Sequence, residues 1–272
     1  VPSESGRAKV INGWGLKPSV YHRGIPARWN TLPITRTKSR WDIYLAAPSF
    51  RYQILTLFNA QPPFQQAAPQ WEHFSHYLAK KAGINAAATK TVSASNYHLL
   101  LSRRFDRTND GKRIHFASAL TLLGLNDGDN ASSGYGYLDI VDFIIQHGSN
   151  IERNLEELYR RVAFYIIIGN ADDHFRNHGF LLTEKGWELS PAYDINPTTS
   201  EQQSLLINRS TNEADLGLLL DAAPDFMISQ NTAKSIIDSI KTMASWRTEA
   251  KRFSLPQRDI DTFGPRIDKW LK

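Results

Sequence analysis

A polar loop between an apolar helix and a β-hairpin constrains the fold of this 272-residue chain more than any other feature. Ser149 and Glu152 form the S-x-x-E pattern of a capping box before apolar residues at helical spacing, which predicts a buried helix over 150–167. Gly169 ends that helix. The next nine residues hold two acids, two amides, one cation and two imidazoles. Residues 170–178 are therefore the candidate functional loop.

The segment after this loop predicts a β-hairpin. Two short strands are expected over 179–183 and 187–190, joined by the turn residues 184–186. A hairpin brings its two ends together. We therefore expect Asn177, at the entrance, to lie close in space to Asp194, just beyond the exit.

The oxygen-bearing side chains of this region suit phosphoryl transfer. That reaction needs a carboxylate to orient the attacking hydroxyl, and oxygen ligands that hold Mg²⁺ against the nucleotide phosphates. Asp172 can be the carboxylate that orients the hydroxyl, and Asn177 and Asp194 can be the oxygen ligands of Mg²⁺. The spacing D-x4-N, followed by a hairpin and a further Asp, is that of the catalytic and metal-binding loops of protein kinases.

The two imidazoles of the loop offer a second interpretation. His174 and His178, together with Asp172 and Asp173, could bind a transition metal such as zinc or iron. Histidines four residues apart share a face only on a helix, and this segment is predicted to be a loop. We therefore favour the phosphoryl-transfer interpretation.

The chain from residue 71 onward is predicted to be mostly helical. Trp71, Phe74 and Leu78 recur at helical spacing and predict a helix over 71–82, while residues 109–111, Asn-Asp-Gly, are a turn signal. Two short strands are expected over 91–94 and 97–101, and further helices over 115–123, 137–146, 212–222, 231–245 and 256–271.

The first 70 residues differ from the rest in charge and composition. They contain nine basic residues, two acidic residues and eight of the thirteen prolines, and their apolar residues follow no sustained period. We expect at most short strands and turns there. Such a basic segment is either an irregular lobe with solvated charges or a nucleic-acid surface.

The composition excludes several classes of protein. Zero cysteines exclude a disulfide scaffold, thiolate zinc sites and a cysteine nucleophile, and are compatible with a reducing cytoplasm. The longest apolar run, over 162–169, is far shorter than the roughly 20 residues of a membrane helix. No signal-peptide pattern opens the sequence. We expect a cytoplasmic protein that does not contact a membrane.

Residues 169–177 and 187–194 carry the motifs of a known family. The chain resembles the HipA-like Ser/Thr kinases, toxins of bacterial toxin–antitoxin pairs, whose motif is roughly G-N-[TA]-D-D-H-x-[KR]-N followed by W-x-L-[SA]-P-A-Y-D. Residues 104–107, R-F-D-R, are similar to the family segment where the strand between the two lobes ends. The resemblance covers about residues 71–272.

The resemblance implies a fold and a set of roles. The fold would be α+β and two-lobed like a protein kinase, with a β-containing N-terminal lobe over 1–100 and a mainly helical C-terminal lobe over 101–272. Asp172 would be the catalytic aspartate, and Asn177 and Asp194 would ligate Mg²⁺. Arg176 stands where the family usually has Lys and would neutralise charge on the transferring phosphoryl group. His174 would be a structural hydrogen-bonding residue of the loop.

The nucleotide-binding part of the resemblance lies mainly in the N-terminal lobe. Residues 5–9 resemble a shortened form of the family's phosphate loop, in which Gly6 and Lys9 would contact ATP. Arg103 would lie beside the nucleotide base. No strand with an ATP-binding lysine follows the loop, so a catalytically inactive pseudokinase or binding module is the alternative to an active kinase.

The resemblance also implies partners. The substrate would be a protein of the translation machinery, such as an aminoacyl-tRNA synthetase. A small helix-turn-helix antitoxin would be the binding partner, and the chain would contact DNA through that antitoxin.

Overall fold

The computed structural model describes residues 34–37, 40–43, 52–58, 67–94 and 97–271. A five-stranded antiparallel sheet occupies its N-terminal part, with the spatial order β1-β2-β3-β5-β4. The predicted short strands of this region are confirmed, and so is the α+β class. The strands are β1 (Ile34–Thr37), β2 (Arg40–Ile43), β3 (Tyr52–Phe58), β4 (Thr89–Ala94) and β5 (Tyr97–Arg103).

Helix α1 (Ala68–Lys81) packs between this sheet and the helical part of the chain. Its apolar face, predicted from the sequence, is buried at Trp71 and Phe74. The Trp71 ring lies 5.2 Å from that of Phe263, and its Nε1 donates a hydrogen bond of 3.1 Å to Asp259. Burial of this aromatic face therefore joins the N-terminal helix to the C-terminal one.

A second, three-stranded antiparallel sheet has the order β6-β7-β8. Its strands are β6 (Phe116–Ser118), β7 (Gly179–Thr183) and β8 (Gly186–Leu189), and β7 and β8 form the predicted hairpin. The helix predicted over 115–123 is wrong in its first half. Ala117 pairs with Phe180 of β7, and the helix α2 is confined to Ala119–Leu122. Strand pairing with a distant segment overrides the local helical pattern there.

The central helix of the molecule is α4 (Ile151–Ile168), close to the prediction, and its side chains form much of the core. The predicted capping box is wrong. Asn150 is the N-cap residue and makes no capping hydrogen bond, while Ser149 Oγ donates to Glu188 Oε1 of β8 at 2.8 Å. Docking on the hairpin thus fixes the start of α4.

The other helices surround α4. The expected helix over 212–222 starts later because Asp215 Oδ1 accepts hydrogen bonds from Gly217 N and Leu218 N and caps it. The helix expected over 231–245 is divided near Met243, whose backbone is not helical. The helices are α3 (Tyr137–His147), α5 (Leu216–Asp221), α6 (Gln230–Lys241), α7 (Trp246–Arg252) and α8 (Gln257–Leu271).

A short parallel contact joins the segment before β4 to the segment after β8. Ala87 N donates to Ala192 O at 2.9 Å, and Ala192 N donates to Asn85 O at 2.8 Å. This contact positions the residues that precede Asp194 against the end of the five-stranded sheet. Within the described ranges, no helix is both long enough and apolar enough to cross a bilayer.

Candidate active site

The candidate loop starts where α4 ends. Gly169 has a left-handed φ of +77° and ends the helix, and the side chain of Arg266 packs against it. The next residue, Asn170, is buried and its Oδ1 accepts a hydrogen bond of 3.0 Å from Asn196 N. The core of the molecule therefore holds the first residues of the loop in place.

Asp172 lies at the surface of this loop. Its side chain is exposed and lines an open cavity of about 420 Å³. Among the described residues, none makes an ion pair or hydrogen bond with its carboxylate. A carboxylate in this position is available to a hydroxyl group of a bound molecule.

Asn177 is held directly against the backbone of Asp172. It closes a 3₁₀ turn (Phe175–Asn177), is buried, and its Nδ2 donates a hydrogen bond of 3.3 Å to the Asp172 carbonyl oxygen. Since the amide nitrogen is occupied, the amide oxygen is the atom of Asn177 left for a ligand.

Asp194 follows the hairpin in a left-handed backbone conformation with φ of +57°. Its Oδ1 accepts a hydrogen bond of 2.7 Å from Asn196 Nδ2. The neighbouring Tyr193 hydroxyl donates to the carbonyl oxygen of Arg176 at 2.5 Å. The residues immediately before Asn177 and Asp194 are thus hydrogen-bonded to each other.

The Tyr193 phenol also contacts the R-F-D-R segment. Its ring lies 5.7 Å from that of Phe105. Burial, together with the nearby Asp194 carboxylate, raises the pKa of Tyr193, so the phenol stays protonated and can donate at neutral pH. The residue therefore joins the end of β5 to the loop that contains Arg176.

The second aspartate of the loop has a structural role. Asp173 is buried, and its Oδ2 accepts a hydrogen bond of 2.8 Å from the Tyr137 hydroxyl and lies 2.7 Å from His178 Nε2. Burial and the Asp173 carboxylate raise the pKa of Tyr137 well above its usual value. Tyr137 thus remains a hydrogen-bond donor that anchors the loop to α3.

This buried cluster of Tyr137, Asp173 and His178 was not predicted. The sequence gives only one hint of this cluster, which is that Asp173 stands directly beside Asp172 in the motif. Tyr137 is remote from both in the sequence.

His174, expected to be the structural imidazole, has a buried Nδ1 with no hydrogen-bond partner among the described residues. In the part of the chain that the structure describes, no three His, Asp or Glu side chains form a metal cluster.

Arg176 points toward another loop in this structure. Its Nη2 lies 2.6 Å from Asp127 Oδ1, and both side chains are largely exposed. Exposed ion pairs contribute at most about 1 kcal/mol, so this contact is weak.

The residues expected to contact the nucleotide lie in the N-terminal part of the chain. Arg103, at the end of β5, donates from Nη2 to Asn109 Oδ1 at 3.2 Å. Gly6 and Lys9 lie outside the described residues.

One further buried group supports the segment before β4. His76 of α1 is 1% exposed, and its Nδ1 donates to Ala87 O at 3.1 Å. Burial lowers the pKa of His76 to about 4, so the ring is neutral at neutral pH. This hydrogen bond fixes α1 to the segment that contacts Ala192.

The sequence matches known proteins over most of its length. The family model of the HipA-like C-terminal domain matches residues 44–247. The serine/threonine-protein kinase toxin HipA of Shewanella oneidensis is 28% identical over 143 residues, which are 46% of this chain and 33% of that protein. A putative kinase of Haemophilus influenzae is 26% identical over 135 residues, covering 46% and 39% of the two chains. Toxin YjjJ of Escherichia coli is 24% identical over 225 residues, covering 78% and 46%.

The fold is also found in a solved structure. HipA in the complex of HipA, HipB and operator DNA from Shewanella oneidensis MR-1 superimposes with a TM-score of 0.68 at 18% identity, covering 95% of this chain and 65% of that chain. The chain spans between 33% and 46% of the length of the curated relatives named above. Since the family model covers most of the chain, this protein belongs to the family of the HipA-like C-terminal domain and has its α+β, kinase-like fold.

Proposed function

We propose that the chain is an ATP- and Mg²⁺-dependent Ser/Thr protein kinase of HipA type. The observation that carries the proposal is the hydrogen bond from Asn177 Nδ2 to the backbone of Asp172, beside an exposed carboxylate with no partner among the described residues. This arrangement keeps an acceptor for a hydroxyl proton next to an amide oxygen that is left for a metal. The names of the relatives, several of them kinases, support the same activity.

The side chains divide the work between them. Asp172 orients the hydroxyl of a Ser or Thr and holds its proton as the oxygen attacks. Asn177 and Asp194 would hold Mg²⁺, since amide and carboxylate oxygens are the ligands that this ion prefers. When bound, ATP supplies the phosphoryl group and Mg²⁺ neutralises part of its charge. Tyr193 and Asn196 keep the Asp194 segment in position.

Arg176 and Arg103 have auxiliary roles in this proposal. Arg176, whose contact with Asp127 is weak, would neutralise charge on the phosphoryl group of a bound nucleotide. Arg103 would lie beside the base. Gly6 and Lys9 would contact the phosphates from an N-terminal lobe over residues 1–100, and residues 101–272 would form the catalytic lobe.

The wider biological role is also a proposal. We place the protein in the cytoplasm as a toxin that phosphorylates a component of translation, such as an aminoacyl-tRNA synthetase. Its partner would be a helix-turn-helix antitoxin through which it contacts DNA. The solved complex of HipA with HipB and operator DNA supports that context.

Transfer of label from γ-labelled ATP tests the catalytic role. The change Asp172→Asn should lower autophosphorylation about 10²- to 10⁴-fold, because the proton acceptor is lost while the shape is kept. The control Asp142→Asn, at an exposed position of α3, should not change it. Unchanged transfer in Asp172→Asn would refute the assigned role.

Calorimetry with Mg-ATP distinguishes the kinase from a pseudokinase. A kinase binds the nucleotide and releases or absorbs heat, and its melting temperature rises. No heat and no thermal shift would favour the inactive binding module.

A further inference from the structure

The cavity beside Asp172 has a lining of unusual chemistry. It holds about 420 Å³ and lies between the 3₁₀ turn (Ala131–Ser133) and the segment after Asp194. Among the described residues that line it, Asp172 is the charged one, and the others are amides, hydroxyl groups and alanines. A ligand that fills this space therefore meets neutral hydrogen-bonding groups and a single carboxylate.

Gln203 is the residue of this lining that most needs a partner. It is 1% exposed, and neither its Oε1 nor its Nε2 has a hydrogen-bond partner among the described residues. Its backbone is fully engaged, since Gln203 N donates to Asn212 O at 2.8 Å and its carbonyl oxygen accepts from Asn212 Nδ2 at 2.6 Å. An unpaired buried amide is costly, and most buried polar groups in proteins are paired.

The walls of the cavity are fixed to the catalytic loop. Ser204 N and Ser204 Oγ both donate to Ala171 O, at 2.9 and 3.0 Å, immediately before Asp172. Ala131 N in turn donates to Ser204 O at 2.9 Å. Hydrogen bonds to backbone carbonyl oxygens therefore set the position of Gln203 relative to the backbone beside Asp172.

We infer that this cavity binds the acceptor segment of the protein substrate, and that the Gln203 amide pairs with the peptide main chain beside the phosphorylated Ser or Thr. This inference rests on the proposed function. A side-chain amide carries one donor pair and one acceptor, as a peptide group requires. An acidic residue next to the acceptor would be repelled by the Asp172 carboxylate. The site thus disfavours acidic residues beside the acceptor Ser or Thr.

Binding of two peptide pools to the full chain tests the inference without catalysis. Both pools are fluorescently labelled and centred on Ser or Thr; one has Ala, Gly, Asn and Gln as neighbours, and the other has Asp and Glu. Fluorescence anisotropy without ATP should show about tenfold tighter binding of the uncharged pool. The change Gln203→Met should weaken that binding about tenfold through the lost hydrogen bonds, without lowering the melting temperature.

A matched variant controls for the loss of a buried amide. Gln70 in α1 also has a buried Oε1 with no partner among the described residues, but it does not line the cavity. Gln70→Met should bind both pools like the wild type. If Gln203→Met does not fold, Ala131→Leu, which fills the cavity from its other wall, should weaken peptide binding instead.

The outcomes separate this inference from the proposed function. Equal binding of the uncharged pool by wild type, Gln203→Met and Ala131→Leu would overturn the inference, and so would a wild type that binds neither pool. Autophosphorylation from labelled ATP is measured on the same samples. Transfer without selective peptide binding overturns this inference alone. Selective binding without any transfer supports the peptide site and overturns the kinase assignment.

Discussion

Asp172 and Asp173 are neighbours in sequence with opposite surroundings. The first is exposed beside an open cavity, and the second is buried and hydrogen-bonded to Tyr137. A buried carboxylate stabilises the fold when it accepts hydrogen bonds from buried donors. An exposed one without partners contributes little to stability and is available for chemistry.

The two aspartates should therefore differ in their effect on stability. The change Asp173→Ala leaves the Tyr137 hydroxyl and His178 without their common acceptor, and should lower the free energy of unfolding by about 2–4 kcal/mol. Asp172→Ala should change it by less than about 0.5 kcal/mol. Urea unfolding followed by circular dichroism measures both. Equal losses in the two variants would contradict this division of roles.

At the scale of single residues, the motif spacing was enough to select Asp172, Asn177 and Asp194 as candidates. The residues that support them could not be predicted in the same way. Tyr137 reaches Asp173 from a helix 36 residues earlier in the sequence. No local period connects the two. Such partners are set by packing between elements, which one sequence does not encode in its spacing.

At the scale of elements, the junction between α4 and the candidate functional loop depends on Gly169. A side chain there would need a left-handed backbone, and its Cβ would lie 2.7 Å from Arg266 Cδ. Gly124 also has a positive φ, of +67°, but a Cβ there would meet nothing within 4 Å. Substitution of Gly124 therefore tests backbone strain alone, whereas substitution of Gly169 adds a steric conflict with Arg266.

The change Gly169→Ala should lower the free energy of unfolding by about 2–3 kcal/mol, and Gly124→Ala by about 1 kcal/mol. Chemical denaturation provides both values. Phosphate transfer should fall in Gly169→Ala alone, since this residue leads into the loop with Asp172. Equal destabilisation by both changes would show that the contact with Arg266 does not constrain the junction.

Elements with strong periodicity or a tight turn were predictable, and those set by distant pairing were not. Strand β7 has the predicted bounds, and α3 and α4 differ from prediction by a residue or so at their ends. The segment 115–123 was predicted as helix because its apolar spacing is helical. Its first residues instead complete a sheet with β7, and the free energy of that pairing depends on a strand more than 60 residues away.

At the scale of the whole molecule, stability should depend on pH through His76. The folded-state pKa is about 4, below the usual value of 6.5. Between these values the unfolded chain binds a proton that the folded chain does not, so stability is lost as the pH falls. The free energy of unfolding should drop by about 2 kcal/mol from pH 7 to pH 5.

Urea unfolding of His76→Gln at both pH values isolates this contribution, because that side chain does not titrate. Its pH-dependent loss should be smaller than that of the wild type by about the same amount. His147→Gln, at an exposed position, should behave like the wild type. An identical pH slope in His76→Gln and the wild type would show that the buried imidazole does not control acid stability.

The α+β, kinase-like architecture was predictable at this scale because the family motifs over 169–177 and 187–194 are specific and occur in the expected order. The contacts that join the N-terminal part of the chain to its helical C-terminal part were not predictable. It depends on the buried face of Trp71 against Phe263 and on the hydrogen bonds around Ala87 and Ala192. These are contacts between segments remote in sequence.

We propose that Asn177 and Asp194 bind one metal ion beside Asp172. The most direct test is isothermal titration calorimetry with Mg-ATP. It compares the wild type with Asn177→Ala, Asp194→Ala and the double variant. Each single change should weaken binding at least about tenfold, and the double variant should bind hardly more weakly than the weaker single one, since both side chains hold the same ion. Losses that add in full, or single variants that bind like the wild type, would contradict the claim.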